Sequence, residues 1–177
     1  MIDYSKMSKL ELASFICSKL KENDIEVVLS GGACVEIYSK GNYTSLDIDL
    51  INRYNETFRK IKIVMEDLCF TEKEKYFIHE NTDIFIEFPP GPLGIGDEIA
   101  TETAELKTKF GVLRLLTPTD CIKDRLAAYY HWNDKQSLDQ AIWIAENTEY
   151  NLNDIKQWSI KENSLDKFEI FIQKLGK

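Results

Sequence analysis

"VVLSGGACVEIYSKGNYTSLDIDLI", residues 27–51, decides how this chain is read. A β-branched apolar run ends in Gly31-Gly32, a helical stretch follows, and a second apolar run carries Asp47 and Asp49 among Leu46, Ile48, Leu50 and Ile51. Charge inside an apolar run is costly unless something pairs with it. Side chains alternate across a strand, so Asp47 and Asp49 share one face, roughly 7 Å apart at Cα, while Ile48 and Leu50 take the other. Two carboxylates so placed suit one or two hard divalent ions, whose charge makes the cluster tolerable. The run therefore reads as a strand with a buried face, and the partner of its two charges as a metal. Gly31 and Gly32 stand where strand passes to helix. Glycine lets backbone N–H groups approach an anion closely, and a helix N-terminus favours phosphate. If the two strands are neighbours, glycine turn and aspartate pair meet at one end of a sheet, as a triphosphate with bound magnesium would require. A lone Asp-x-Asp or a lone Gly-Gly is commonly no more than a turn; the order of strand, glycines, helix and acidic strand carries the reading.

Outward from this stretch the chain alternates. Ser8 and Glu11 stand at capping-box spacing before a helix over 9–22. Strand 26–30, a helix stopped by Gly41, strand 45–51 and a helix capped by Asn55 follow. "KYFIH" (75–79) and "DIFIEF" (83–88) read as strands. "PPGPLGIGDE" holds Pro89, Pro90, Pro92 and three glycines, and reads as a stiff, irregular loop. "AELKTKFGVLRLLT" reads as a hairpin turning near Gly111. Thr117-Pro118-Thr119-Asp120 supplies an N-cap, a proline at N1 and an acid at N3. Helices then fit 119–131, 134–147, 151–160 and 164–175. The expected class is α/β (α+β): a mixed α/β core over 1–116 and a C-terminal helical segment over 117–177, together one compact unit.

Composition bounds the function. The 177 residues are 44% hydrophobic, enough for a full core, and the net charge is −8. That charge opposes non-specific binding to an anionic membrane or to long nucleic acid. No apolar run approaches a membrane span, and the polar stretch Met1 to Lys9 is no leader, so a cytoplasmic location is expected. Cys17, Cys34, Cys69 and Cys121 lie far apart beside apolar neighbours, and His79 and His131 fall at no zinc-like spacing from them. Reduced, buried thiols are expected.

"LSGGACVEIY…SLDIDLI" resembles the signature of the nucleotidyltransferase fold shared by polymerase-beta-like enzymes. The resemblance implies a short, mixed, twisted sheet with helices packed on it. It implies that Gly31 and Gly32 hold nucleotide phosphates, with Ser45 as a further phosphate-binding candidate, and that Asp47 and Asp49 bind catalytic metals. Fourteen residues, 33 to 46, separate the two halves of the signature. A third carboxylate is implied on a later strand. In "TDIFIEF" Asp83 and Glu87 share a face, so periodicity does not choose between them. The family's apolar-acid-apolar pattern favours Glu87, between Ile86 and Phe88, with Asp83 as the alternative. "DRLAAYYHWNDKQSLDQA", residues 124–141, resembles the helical block of small bacterial nucleotidyltransferase-like proteins related to abortive-infection toxins. Lys123, Arg125 and Lys135 are the cations available there for phosphate, each equally readable as a solvated helix cation. His131 and Trp132 read as a helix end, Asp134 as the next helix cap, and Leu138, Ala141, Ile142 and Ala145 as core.

The resemblance implies transfer of a nucleoside monophosphate from a nucleoside triphosphate (NTP) to an acceptor hydroxyl, with release of pyrophosphate. Asp47 and Asp49 would hold two Mg²⁺ or Mn²⁺ ions, and Glu87 would ligate one or act as base. The acceptor, whether small molecule, protein or RNA end, is open, as is a toxin–antitoxin setting. The alternative is a non-catalytic nucleotide-binding or interaction protein on the same fold. A glycosyltransferase using Asp-x-Asp would carry it deeper in a Rossmann-like half, and the glycine turn just upstream argues against it.

Overall fold

Ser8 starts the first helix as its spacing dictates. Its hydroxyl accepts from the Glu11 N–H, and the Glu11 carboxylate accepts from the Ser8 N–H. In the computed structural model, which describes residues 3–54, 57–100 and 102–176, a short 3-10 turn precedes this helix, α1 (Lys9–Lys21). Then follow β1 (Val27–Ser30), α2 (Gly31–Tyr38), β2 (Asp47–Asn52), α3 (Phe58–Asp67), β3 (Thr71–Lys73), β4 (Tyr76–His79) and β5 (Thr82–Glu87). A two-stranded unit, β6 (Gly94–Ile95) and β7 (Glu98–Ile99), leads to the hairpin β8 (Ala104–Thr108) and β9 (Gly111–Leu115). The chain closes with α4 (Pro118–Trp132), α5 (Lys135–Asn147), α6 (Leu152–Lys161) and α7 (Leu165–Leu175).

Seven strands form one mixed sheet in the order β3-β4-β5-β2-β1-β9-β8. β2 lies antiparallel to β1 and parallel to β5, and β9 runs parallel to β1. Strand alternation then sorts side chains by face: Ile48, Leu50 and Asn52 are buried, while Asp47, Asp49 and Ile51 are half-buried. α1 packs along β9 and β1 and touches α3; α2 packs on β1 and β2 and reaches α4 and α5. The expected helix caps of the C-terminal part are present. Thr117 accepts from the Asp120 N–H with Pro118 in the first turn, and Asp134 accepts from the Gln136 N–H to start α5.

Several expectations change. Leu46 is 80% exposed and precedes β2, so the strand is shorter than its apolar run and the aspartates stand on its less buried face. Asn55 lies outside the described residues, and Thr57 holds the N-cap of α3. β3 adds an edge strand. The proline-rich stretch is more than loop: Leu93 and Ile95 are buried, and the Trp158 Nε1–H donates to the Ile95 carbonyl at 3.3 Å. Of the four free cysteines Cys17, Cys34 and Cys121 are buried, but Cys69 is exposed at a left-handed turn, φ +65°. Among the described residues no helix is long and apolar enough to cross a membrane.

Candidate metal and phosphate site

The sheet register builds the site. β2 runs between β1 and β5, which sets Ser30 opposite Asp49, Asp49 opposite Glu87, and Asp47 opposite Phe85. One ligand atom from each of Asp47, Asp49 and Glu87 lies within 4.8 Å of the others, and all three residues are half-buried. Asp83 is exposed and stands outside this group. The parallel neighbour strand thus sets Glu87, and not Asp83, beside Asp47 and Asp49.

Three carboxylates held this close resist joint ionisation. Burial, then the charges of Asp47 and Glu87, push the Asp49 carboxyl up to about 7, while Arg125 pulls the other way. Arg125 is itself engaged: its Nε donates to Asp124 Oδ2 at 2.9 Å and its Nη1 to Gln140 Oε1 at 3.4 Å. Glu87 meets Lys75 Nζ at 2.7 Å, and that ammonium lies 4.8 Å from the Tyr76 ring centre. The Tyr76 and Phe85 rings are 5.7 Å apart, so an aromatic pair borders the Glu87 side of the cluster. Hard oxygen donors with excess negative charge fit Mg²⁺ or Mn²⁺.

The glycines belong to the same device. Gly31 takes φ +60°, and a Cβ there would come 2.0 Å from Asp49 Oδ2. Both its conformation and its neighbour call for glycine. A Cβ on Gly32 would come 2.7 Å from Ser45 Oγ, so the second glycine leaves room for that serine. Ser45 is buried, and its hydroxyl donates to Asp47 Oδ1 at 2.7 Å. Glycine turn and acidic strand are in direct contact.

The other candidate cations divide. Arg125 acts on Asp49 through its charge, but Lys123 does not join the cluster. Its side chain, 5% exposed, meets Asp154 at 2.8 Å, Glu98 at 3.7 Å and Asp120 at 3.9 Å. It lines a separate 440 Å³ cleft with Thr117, Thr119 and Asn151. Lys135 is exposed, and His131 Nε2 pairs with Glu162 at 3.0 Å. Sequence reasoning missed Lys75, Tyr76 and Phe85. Their signal lay in the alternation of β4 and β5, but only the pairing of Tyr76 with Glu87 brings it to the site.

No protein-family model matches this chain, and no curated protein matches it. Solved structures do. An antigenic nucleotidyltransferase-like protein from Paracoccidioides brasiliensis superposes with a TM-score of 0.65 at 15% identity, over 95% of this chain and 90% of that one. The solution structure of the antibiotic-resistance factor ANT(2'')-Ia superposes with a TM-score of 0.50 at 16% identity, over 96% of this chain and 97% of that one. At these identities the likeness is one of fold.

Proposed function

We propose that this chain, which has the nucleotidyltransferase fold, transfers a nucleoside monophosphate from an NTP to an acceptor hydroxyl. The observation that carries this reading is the convergence of Asp47, Asp49 and Glu87 within 4.8 Å, against a glycine that opens a helix. Asp47, Asp49 and Glu87 would hold Mg²⁺ or Mn²⁺. A bound divalent metal supplies polarisation of the α-phosphate and neutralises charge on the departing pyrophosphate.

The chain's own groups do the rest. The N–H groups at Gly31 and Gly32, at the start of α2, would bind the phosphates. The acceptor oxygen bonds the α-phosphorus as the bond to the bridging oxygen breaks and pyrophosphate leaves. The acceptor's proton passes to a Glu87 carboxylate oxygen. Lys75, paired with Glu87 at 2.7 Å and 60% exposed at its side chain, would be the cation beside Glu87 available to phosphate. Tyr76 and Phe85, their rings tilted by 41°, offer the acceptor an apolar surface beside Glu87. A net charge of −8 favours a neutral or cationic acceptor over long nucleic acid.

The test is incubation with each NTP labelled at the α-phosphate and Mg²⁺ or Mn²⁺, alone and with cell extract. Label should move to an acceptor, with pyrophosphate released, and Asp47→Asn/Asp49→Asn should abolish it. Metal and NTP binding without pyrophosphate release from any NTP would instead support the non-catalytic binder. If the activity is that of a toxin, expression should arrest growth and the same double substitution should relieve it.

A further inference from the structure

Ser45 is clamped from several sides. Its backbone N–H donates to Glu36 Oε2 at 3.0 Å, and its carbonyl accepts from Lys9 Nζ. Lys9 also pairs with that Glu36 oxygen, so a lysine from α1 and a glutamate from α2 grip both polar groups of one peptide residue. Lys9 and Glu36 side chains are 16% and 31% exposed, so solvent competes weakly with the Lys9 end of this contact. On its third side Ser45 lies against Gly32, where a Cβ would come 3.0 Å from the serine Cβ. Its hydroxyl is turned to Asp47: it donates to Oδ1 at 2.7 Å, has the Asp47 carbonyl oxygen at 3.2 Å, and its own Oγ accepts from the Asp47 N–H at 3.4 Å.

We infer that Ser45 is a positioning residue for the metal-binding carboxylate of Asp47, set in place by the Lys9–Glu36 pair, rather than a phosphate ligand. A hydroxyl that bonds Oδ1 restrains the Asp47 carboxylate, one oxygen of which lies within 4.8 Å of a carboxylate oxygen of Asp49 and of Glu87. Groups that hydrogen-bond a metal ligand set its orientation, and their loss typically costs about 10–100-fold in metal affinity. Lys9 and Glu36 are far in sequence from the acidic strand, yet their contact carries the order of α1 and α2 into the site. The inference rests on the metal reading of the carboxylate group, and not on turnover.

Mn²⁺ titration followed by calorimetry and by the electron paramagnetic resonance spectrum of the bound ion tests it, on wild type, Ser45→Ala, Lys9→Met and the double variant. Ser45→Ala should weaken Mn²⁺ binding roughly tenfold or more, alter the spectrum of bound Mn²⁺, and leave metal-free pyrophosphate affinity unchanged. Lys9→Met should act in the same direction and more weakly. The double variant should bind Mn²⁺ no worse than Ser45→Ala, because residues acting through one group are non-additive. Circular dichroism of each metal-free variant separates loss of the site from loss of the fold. A folded Ser45→Ala protein with Mn²⁺ affinity within about twofold of wild type overturns the inference, as does loss of pyrophosphate affinity with Mn²⁺ binding intact. Wild type that binds Mn²⁺ but transfers nothing would leave the clamp standing while the proposed reaction falls. Wild type that binds no Mn²⁺ overturns both.

Discussion

At the scale of single residues, Asp49 sets the pH response of the site. Burial and the neighbouring carboxylates push its carboxyl up to about 7 in the folded protein, against about 4 for an unperturbed aspartate. The folded chain therefore keeps a proton that the unfolded chain releases. The stability this confers is fully present below about pH 4, falls as pH rises to about 7, and is level above that. A divalent cation must displace the same proton, so Mn²⁺ affinity should climb with pH and level off near 7. Thermal melts of metal-free protein and Mn²⁺ titrations from about pH 5 to about pH 8 read both trends. In Asp49→Asn the stability slope should flatten; a full slope there would assign the titration to another group. Glu87 and Asp83 make a second residue-scale test. Glu87→Gln should weaken Mn²⁺ binding by roughly tenfold or more, and Asp83→Asn should match wild type. Here sequence and structure divide the work. Alternation put both acids on one face, and family pattern favoured Glu87, but the pairing of Glu87 with Asp49 is a property of two strands separated by a helix and a hairpin.

At the scale of elements, the glycine turn joins β1 to α2 and brings the start of that helix onto the acidic strand. Gly31→Ala should destabilise the protein in two ways. A left-handed conformation costs a non-glycine residue about 1–2 kcal/mol, and the new Cβ would overlap the Asp49 carboxylate. Urea melts of Gly31→Ala, Asp49→Ala and the double variant separate the two. The loss caused by Gly31→Ala should shrink in the Asp49→Ala background toward the backbone cost alone. Strict additivity would show that the carboxylate yields without cost. Gly32→Val is no mild probe of phosphate approach, since its side chain would press on buried Ser45. Elements of this kind were legible where their causes are local. The Ser8–Glu11 box, the Thr117-Pro118 start and the two-residue period of β2 are written within a few residues of one another. β3 was not, because "TEK" has no apolar period and is a strand through its pairing with β4. The β6–β7 unit hid in a proline- and glycine-rich stretch whose Ile95 carbonyl accepts from Trp158, 63 residues away. The setting of Lys123 was hidden for the same reason: its three carboxylate partners come from β7, α4 and α6, and only the assembled fold brings them to it.

At the scale of the whole molecule, the question is whether the site stands on the sheet alone or on the sheet and the C-terminal helices together. α2, whose first residue abuts Asp49, packs on α4 and α5 as well as on β1 and β2. The Tyr38 hydroxyl at its far end donates to the Leu116 carbonyl at 2.7 Å, just before α4 begins. Trp158 is 1% exposed, stacks on Tyr130 at 5.5 Å, and bonds to the carbonyl of Ile95 on β6. The packing of α2 on α4 and α5 and the Trp158–Ile95 bond join residues before 117 to residues after it, from which cooperative unfolding as one unit is expected. The three tryptophans, Trp132, Trp143 and Trp158, all lie in the C-terminal helices, so their fluorescence reports that part. Amide exchange in β2 reports the sheet. In urea, tryptophan fluorescence and the protection of β2 amides should be lost with one midpoint. Trp158→Ala removes a fully buried ring at a cost of about 3–5 kcal/mol, and should lower both midpoints together. If instead the fluorescence midpoint falls while β2 keeps wild-type protection, the helices form a separable unit and the carboxylate site does not depend on them. With one cooperative unit, Trp158→Ala should also lower the fraction of protein able to bind Mn²⁺ in moderate urea, although it lies on α6, outside the carboxylate group.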